Sequence, residues 1–128
     1  YAFKNCKGLT NITIPSSVIK IDIEAFQSSG LTTIELPSSI TSIDYGLFSS
    51  CSDLVSVKIP SSVESIGESA FVGCTSLTNL ELSSSVKTIG VMAFYGCENL
   101  DLVIDNSEDN VEVRPQAFQN CKSVTWKK

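Results

Sequence analysis

The sequence predicts an α/β repeat fold: a right-handed solenoid with a short parallel β-sheet on its concave face and turns and short helical segments elsewhere. Three observations predict it. A phenylalanine returns at a nearly fixed interval, apolar residues alternate in the same phase of each interval, and a serine-rich triplet follows each alternation.

The interval comes first because it selects the architecture. A small or aliphatic residue precedes every phenylalanine: Ala2-Phe3, Ala25-Phe26, Leu47-Phe48, Ala70-Phe71, Ala93-Phe94 and Ala117-Phe118. The spacings are 23, 22, 23, 23 and 24 residues. They fall in the window of leucine-rich repeats and well short of helical-hairpin repeats. About five and a half units of 23 residues then fill 1–128 as one solenoid, in a stretch that begins in mid-pattern and reads as part of something longer.

Within a unit, Ile12/Ile14, Ile34/Leu36, Val57/Ile59 and Leu80/Leu82 alternate, the period of a short strand with one buried face. Pro15, Pro37 and Pro60, each followed by Ser-Ser, end the strand, because proline donates no ladder hydrogen bond and serine satisfies turn backbone. Ser83 takes that place in the next unit. A second extended piece, Val-x-x-Ile, leads to Asp22, Asp44, Gly67 or Gly90, residue types that tolerate a sharp corner. The Ala-Phe segment after it reads as a helical turn. Equivalent residues then form ladders, with Leu9, Leu31, Leu54, Leu77 and Leu100 on one wall and the phenylalanines opposite.

The last unit departs from the pattern. Asp105-Asn106-Ser107-Glu108-Asp109-Asn110 replaces Pro-Ser-Ser, and the strand before it, Leu102-Val103-Ile104, reads one residue short. Terminal units diverge because their outer face meets water. Val124-Thr125-Trp126 is placed to start one more strand.

The recurring pattern, seen best from Leu54 through Val57, Ile59, Pro60, Val63, Ile66, Gly67, Ala70 and Phe71 to Cys74, resembles the BspA-like or treponemal type of leucine-rich repeat. The resemblance is close over 1–104 and loose over 105–128. It implies a surface or secreted protein, adhesion to host or extracellular-matrix macromolecules, and no catalytic residues. The runner-up reading is an intracellular scaffold of the same architecture.

Composition narrows the chemistry. A formal charge of −5 with Arg114 as the only arginine argues against nucleic acid as a partner. There is no histidine, which removes Ser-His-Asp and Cys-His pairs and His-ligated zinc, and no acid–base pair stands out from the repeating polar positions, so no enzyme is expected. No metal or cofactor is expected. No apolar run approaches the length of a membrane span, and the expected partners are a protein or other extracellular macromolecule and further repeats of the same chain.

If the first strand lines the concave face, its outward positions are the binding candidates: Thr10, Asn11 and Thr13; Thr32, Thr33 and Glu35; Val55, Ser56 and Lys58; Thr78, Asn79 and Glu81. The same positions also fit a plain solvated sheet, on which Glu35, Lys58 and Glu81 form an alternating charge ladder. Cys6, Cys51, Cys74, Cys97 and Cys121 each fall three residues after a phenylalanine, with Ser29 in that phase of the second unit. One thiol per coil reads as a buried apolar ladder. Disulfides between rungs would meet at poor geometry, and no Cys-x-x-Cys pair points to zinc. Asn11-Ile12-Thr13 is a glycosylation sequon only in a eukaryotic secretory route. The acidic stretch from Asp101 to Glu112 lacks the Gly and Glu of a calcium loop, having Asn110 and Gln116 there, and reads as a solvated loop. Tyr1, Tyr45 and Tyr95 fall near corners, in half-buried packing or against a partner.

Overall fold

Successive units stack on one another in register. In the computed structural model, which describes residues 2–127, they wind into about four turns of parallel β-solenoid. The alternating segments form one wall: β1 (Thr33–Glu35), β3 (Ser56–Lys58), β5 (Asn79–Leu82), β7 (Asp101–Ile104) and β9 (Ser123–Trp126). The second extended pieces form another: β2 (Ser42–Ile43), β4 (Ser65–Ile66), β6 (Thr88–Ile89) and β8 (Glu112–Val113). Every pairing is parallel, with Ile34 on Val57, Leu80 on Leu102 and Val124, and Ile43 on Ile66, Ile89 and Val113. Inward residues are buried and outward ones exposed in β1, β3 and β5, as a period of two requires.

Two strand expectations are corrected. Ile12 and Ile14 do not lie in a strand. The first coil is joined to the second there by the Thr32 N–H donating to the Thr10 carbonyl at 3.1 Å, short of a ladder. The strand around Leu102–Ile104 is not short. Asp101–Ile104 matches Asn79–Leu82 over its whole length, and the missing residue is a counterpart of Thr78 just before it.

The Ala-Phe corner is not helical. Two residues per corner have a positive φ: Gly46 and Ser50 in one coil, Ser69 and Gly73 in the next, Met92 and Gly96 in the one after. A left-handed residue on each side of the pair breaks the helix into consecutive turns. The amides then alternate in what they do. Leu47, Ser49 and Cys51 donate backward within the coil, to the carbonyls of Asp44, Gly46 and Phe48. Gly46, Phe48 and Ser50 donate forward to Glu68, Ala70 and Val72 of the next coil. Peptide groups of the corner are therefore joined head to tail along the solenoid axis, and each coil is bonded to the next without a β-strand. A single 3-10 turn at Glu108–Asn110, capped by the Ser107 side chain on the Asp109 N–H, is the one helical element among the described residues.

The core between the walls is a single apolar cluster. Leu31, Leu54, Leu77 and Leu100 are fully buried, as are Phe48, Phe71 and Phe94. Consecutive phenylalanine rings from Phe3 to Phe118 stack with centroids 5.5, 5.8, 5.3, 5.1 and 6.2 Å apart, and Trp126 meets Phe118 edge-on at 6.3 Å.

The cysteines complete the corner. Cys51, Cys74, Cys97 and Cys121 donate their thiols at 3.0–3.2 Å to the carbonyls of Phe26, Phe48, Phe71 and Phe94, one coil back. Each of those carbonyls also accepts an in-coil amide, so the thiol fills its second lone pair. All the cysteines are free; Cys51, Cys74 and Cys97 are buried, Cys121 is half-buried and Cys6 is exposed. Serines repeat the device at the other corner, where Ser39, Ser62 and Ser85 donate to the carbonyls of Val18, Ile40 and Val63. In the last coil the buried Asn106 replaces them, donating to the Ser84 carbonyl and accepting from Ser107 and Asn110. The glycines at 67 and 90 serve close approach rather than an unusual φ. A Cβ on Gly90 would lie 2.6 Å from the Glu68 amide nitrogen, and one on Gly67 2.9 Å from the Asp44 carbonyl carbon.

Candidate interaction face

The first-strand wall presents every other side chain to solvent, and the coil spacing repeats those side chains in straight rows. Thr10, Asn11, Thr13, Thr32, Thr33, Glu35, Val55, Ser56, Lys58, Thr78, Asn79 and Glu81 are all exposed. Ladder register brings Thr33 beside Ser56 and Asn79 beside Asp101, giving a row of short polar groups. An open groove of about 810 Å³ lies along the first three coils. Asn11, Thr13, Thr33, Glu35, Ser56 and Lys58 line it, together with Pro37 and Pro60. The backbone under Thr33, Glu35, Ser56 and Lys58 is held by the β1–β3 ladder over a buried core, whereas Asn11 and Thr13 lie on the first coil outside any ladder.

The charges only partly follow the expected ladder. Lys58 lies 3.7 Å from Glu35, but Glu81 pairs with Lys127 at 3.4 Å instead of with Lys58. The reason is in the sheet: β3 lies against β5 without sharing a ladder, so Lys58 and Glu81 are not held side by side. Both pairs are largely exposed and contribute little to stability. Two coils on, Asp101 accepts from the Ser123 hydroxyl at 2.6 Å and pairs with Lys122 at 3.4 Å. The Ser123 hydrogen bond, assisted by the lysine charge, holds the Asp101 carboxyl below its ordinary range. Sequence reasoning missed Asp101, Lys122, Ser123 and Lys127 on this face because it ended the row at the fourth coil; the alternation of Val124 and Trp126 was the available signal.

Val55 is the one large apolar side chain among the candidates, 47% exposed. Tyr45 is exposed and Tyr95 half-buried, both at the corner away from the groove, and Tyr1 lies outside the described residues. Among the described residues no three His, Cys, Asp or Glu side chains converge to hold a metal ion, and no helix is long and apolar enough to cross a membrane. The arrangement is a mixed-charge polar surface of short side chains set in rows by the coil spacing.

A solenoid of 22- to 24-residue coils, walled by short parallel strands and stapled by one phenylalanine and one small donor per coil, defines a leucine-rich-repeat scaffold. The chain belongs to the BspA type leucine rich repeat family, whose model matches in six copies over residues 1–125. Its fold is shared with a leucine rich cell surface protein of Faecalibacterium prausnitzii, at 27% identity and a TM-score of 0.75 over 91% of this chain and 32% of that one. A leucine-rich repeat protein of Bacteroides ovatus is also similar, at 25% identity and a TM-score of 0.59 over 91% of this chain and 42% of that one. The chain thus spans about a third to two fifths of these proteins' lengths. No curated protein matches it.

Proposed function

We propose that this chain is a protein-binding and adhesion module of a surface or secreted protein, which holds host or extracellular-matrix macromolecules on its first-strand face. The observation that carries this reading is the groove along the first three coils, walled by the rows Asn11/Thr33/Ser56 and Thr13/Glu35/Lys58. Short hydroxyl, amide and charged groups at a fixed rung spacing offer hydrogen bonds to an extended partner without costing side-chain order. The kinship with a bacterial cell surface protein supports the location, and the family's surface and adhesive members support the role.

The test is capture of matrix proteins coated on a plate by the chain and by a variant with Thr33, Ser56 and Asn79 all changed to Arg. These positions are exposed, so circular dichroism and melting should stay as in the parent. Loss of capture by a folded variant supports the face. Undiminished capture of every coated ligand rules it out.

A further inference from the structure

The first-strand wall is interrupted in its interior. Along a parallel strand, alternate residues bond to opposite neighbours. Ser56 and Lys58 face the coil before them: the Ser56 N–H donates to the Thr32 carbonyl at 3.4 Å, and the Lys58 carbonyl accepts from the Leu36 N–H at 3.1 Å. Val57 therefore turns its peptide groups toward β5. From the other side, the Thr78 and Leu82 carbonyls accept from Asp101 and Asp105 of the coil after, which turns Asn79 and Glu81 toward β3. Yet no backbone bond joins residues 55–59 to residues 78–82, and the wall divides into β1–β3 and β5–β7–β9. Ion pairs respect the same seam. Glu35 pairs with Lys58 before it, Asp101 with Lys122 and Glu81 with Lys127 after it, and among the described residues none crosses.

Around the seam the same two coils are joined on every other side. Ser65 and Ile66 pair with Thr88 and Ile89 on the second wall. At the corner the Ser69, Phe71 and Gly73 amides donate to Val91, Ala93 and Tyr95. Flanking the gap, the Ser76 hydroxyl donates to the Ser52 carbonyl at 2.6 Å and the Ser85 hydroxyl to the Val63 carbonyl at 2.8 Å. Leu54 and Leu77 in the core beneath are fully buried.

We infer that the first-strand wall is hinged between β3 and β5, splaying and closing about the bonded second wall and corner over an intact core. With the other sides pinned, relative motion of the two coils is confined to a rotation that opens the free one. Peptide groups of Val57, Asn79 and Glu81 bond to one another when the seam is closed and to water when it is open. That exchange changes the free energy little, so both arrangements are accessible. The interaction face is thereby two plates, with Ser56 and Lys58 on one and Asn79 and Glu81 on the other, and its curvature follows the hinge. The hinge is a property of the fold and stands whatever the face binds.

Two measurements test it. Amide exchange read by NMR on the unaltered chain should find Asn79 and Glu81 exchanging about tenfold or more faster than Leu80 and Leu82, which bond to β7. Spin labels then separate motion from a fixed gap. In a Cys6→Ser background, one label pair is placed by Glu35→Cys and Glu81→Cys, two coils apart across the seam. The other is placed by Glu81→Cys and Thr125→Cys, two coils apart within one ladder. All three positions are exposed, and the native thiols at 51, 74 and 97 are buried, with Cys121 spared by brief labelling. The spread of distances should be broader across the seam than within the ladder. Equal protection of the four amides overturns the inference, and so does fast exchange with equal spreads, which is a static gap filled by water.

Discussion

Phe71→Ala removes the middle rung of the aromatic stack, and its cost follows from the ring's surroundings. Phe71 is fully buried, with Phe48 at 5.3 Å and Phe94 at 5.1 Å on its two faces. Truncating a buried phenylalanine costs about 3–5 kcal/mol in transfer and cavity terms. Two lost stacking contacts, each about 0.5–1.5 kcal/mol, push the value to the upper part of that range without adding in full. Relief by collapse is limited, because neighbouring coils are pinned by the Phe48 and Phe71 amides donating to Ala70 and Ala93. A loss of about 4 kcal/mol is a large share of the roughly 5–15 kcal/mol that a domain holds in total. In urea, with a slope of about 2 kcal/mol per molar, the midpoint should fall by about 2 M. Phe118→Ala is the internal control. That ring is half-buried, with one stacked neighbour at 6.2 Å and Trp126 at its edge. It should cost roughly 1–2 kcal/mol. Equal losses for Phe71 and Phe118, or a loss below about 1 kcal/mol for Phe71, would refute stacking as the source of stability.

Further outcomes follow from the corners. In the native chain, thiol titration should show Cys6 reacting fast, Cys121 slowly, and Cys51, Cys74 and Cys97 only after unfolding. Burial raises the Cys51 thiol and pushes Cys121 up to about 12, while the Cys97 side chain and then burial raise Cys74. An unfolded cysteine ionises near about 8.5, so above that pH the folded chain holds more protons than the unfolded one. Stability measured by urea melts should therefore be full below this point and fall as pH rises from there toward 12, with a flat profile to pH 11 contradicting the burial. Gly90→Ala places a Cβ against the backbone of Gly67 and Glu68 and should destabilise by roughly 2 kcal/mol or more, whereas Gly8→Ala, with open space around it, should be within about 0.5 kcal/mol of the parent in the same melts.

The ladders were legible because repetition turns a weak local signal into a strong one. Any single Val-x-Ile is ambiguous, but Leu31, Leu54, Leu77 and Leu100 in one phase fix a wall, and all four are buried. The outward positions followed from the same alternation, and all twelve candidates face solvent. The corner was not legible as helix or turn from Ala-Phe itself, since both residues suit a helix. What decides it is the column Asn5, Ser28, Ser50, Gly73, Gly96 and Asn120, every member left-handed. Five of these six sit two residues after a phenylalanine as Asn, Ser or Gly with Cys next, and Ser28 precedes Ser29 instead; that composition was the unread clue. The role of the thiols was only half visible. Burial followed from phase, but donation to the carbonyl of a phenylalanine 25–27 residues earlier depends on coil-to-coil geometry that no local pattern encodes. The alternation at Ile12 and Ile14 also occurs in β9, which forms a strand against a single neighbour, so neither the pattern nor an edge position accounts for the missing strand there.

Amide hydrogen exchange on the dilute chain tests the coil-to-coil bonding most directly. The account predicts that Ser69, Phe71 and Gly73, and Met92, Phe94 and Gly96, exchange slowly because each donates to the coil after it, while Gln116, Phe118 and Asn120, in the same local turns, exchange fast. Equal protection of Phe94 and Phe118, or fast exchange throughout the corners, would contradict it.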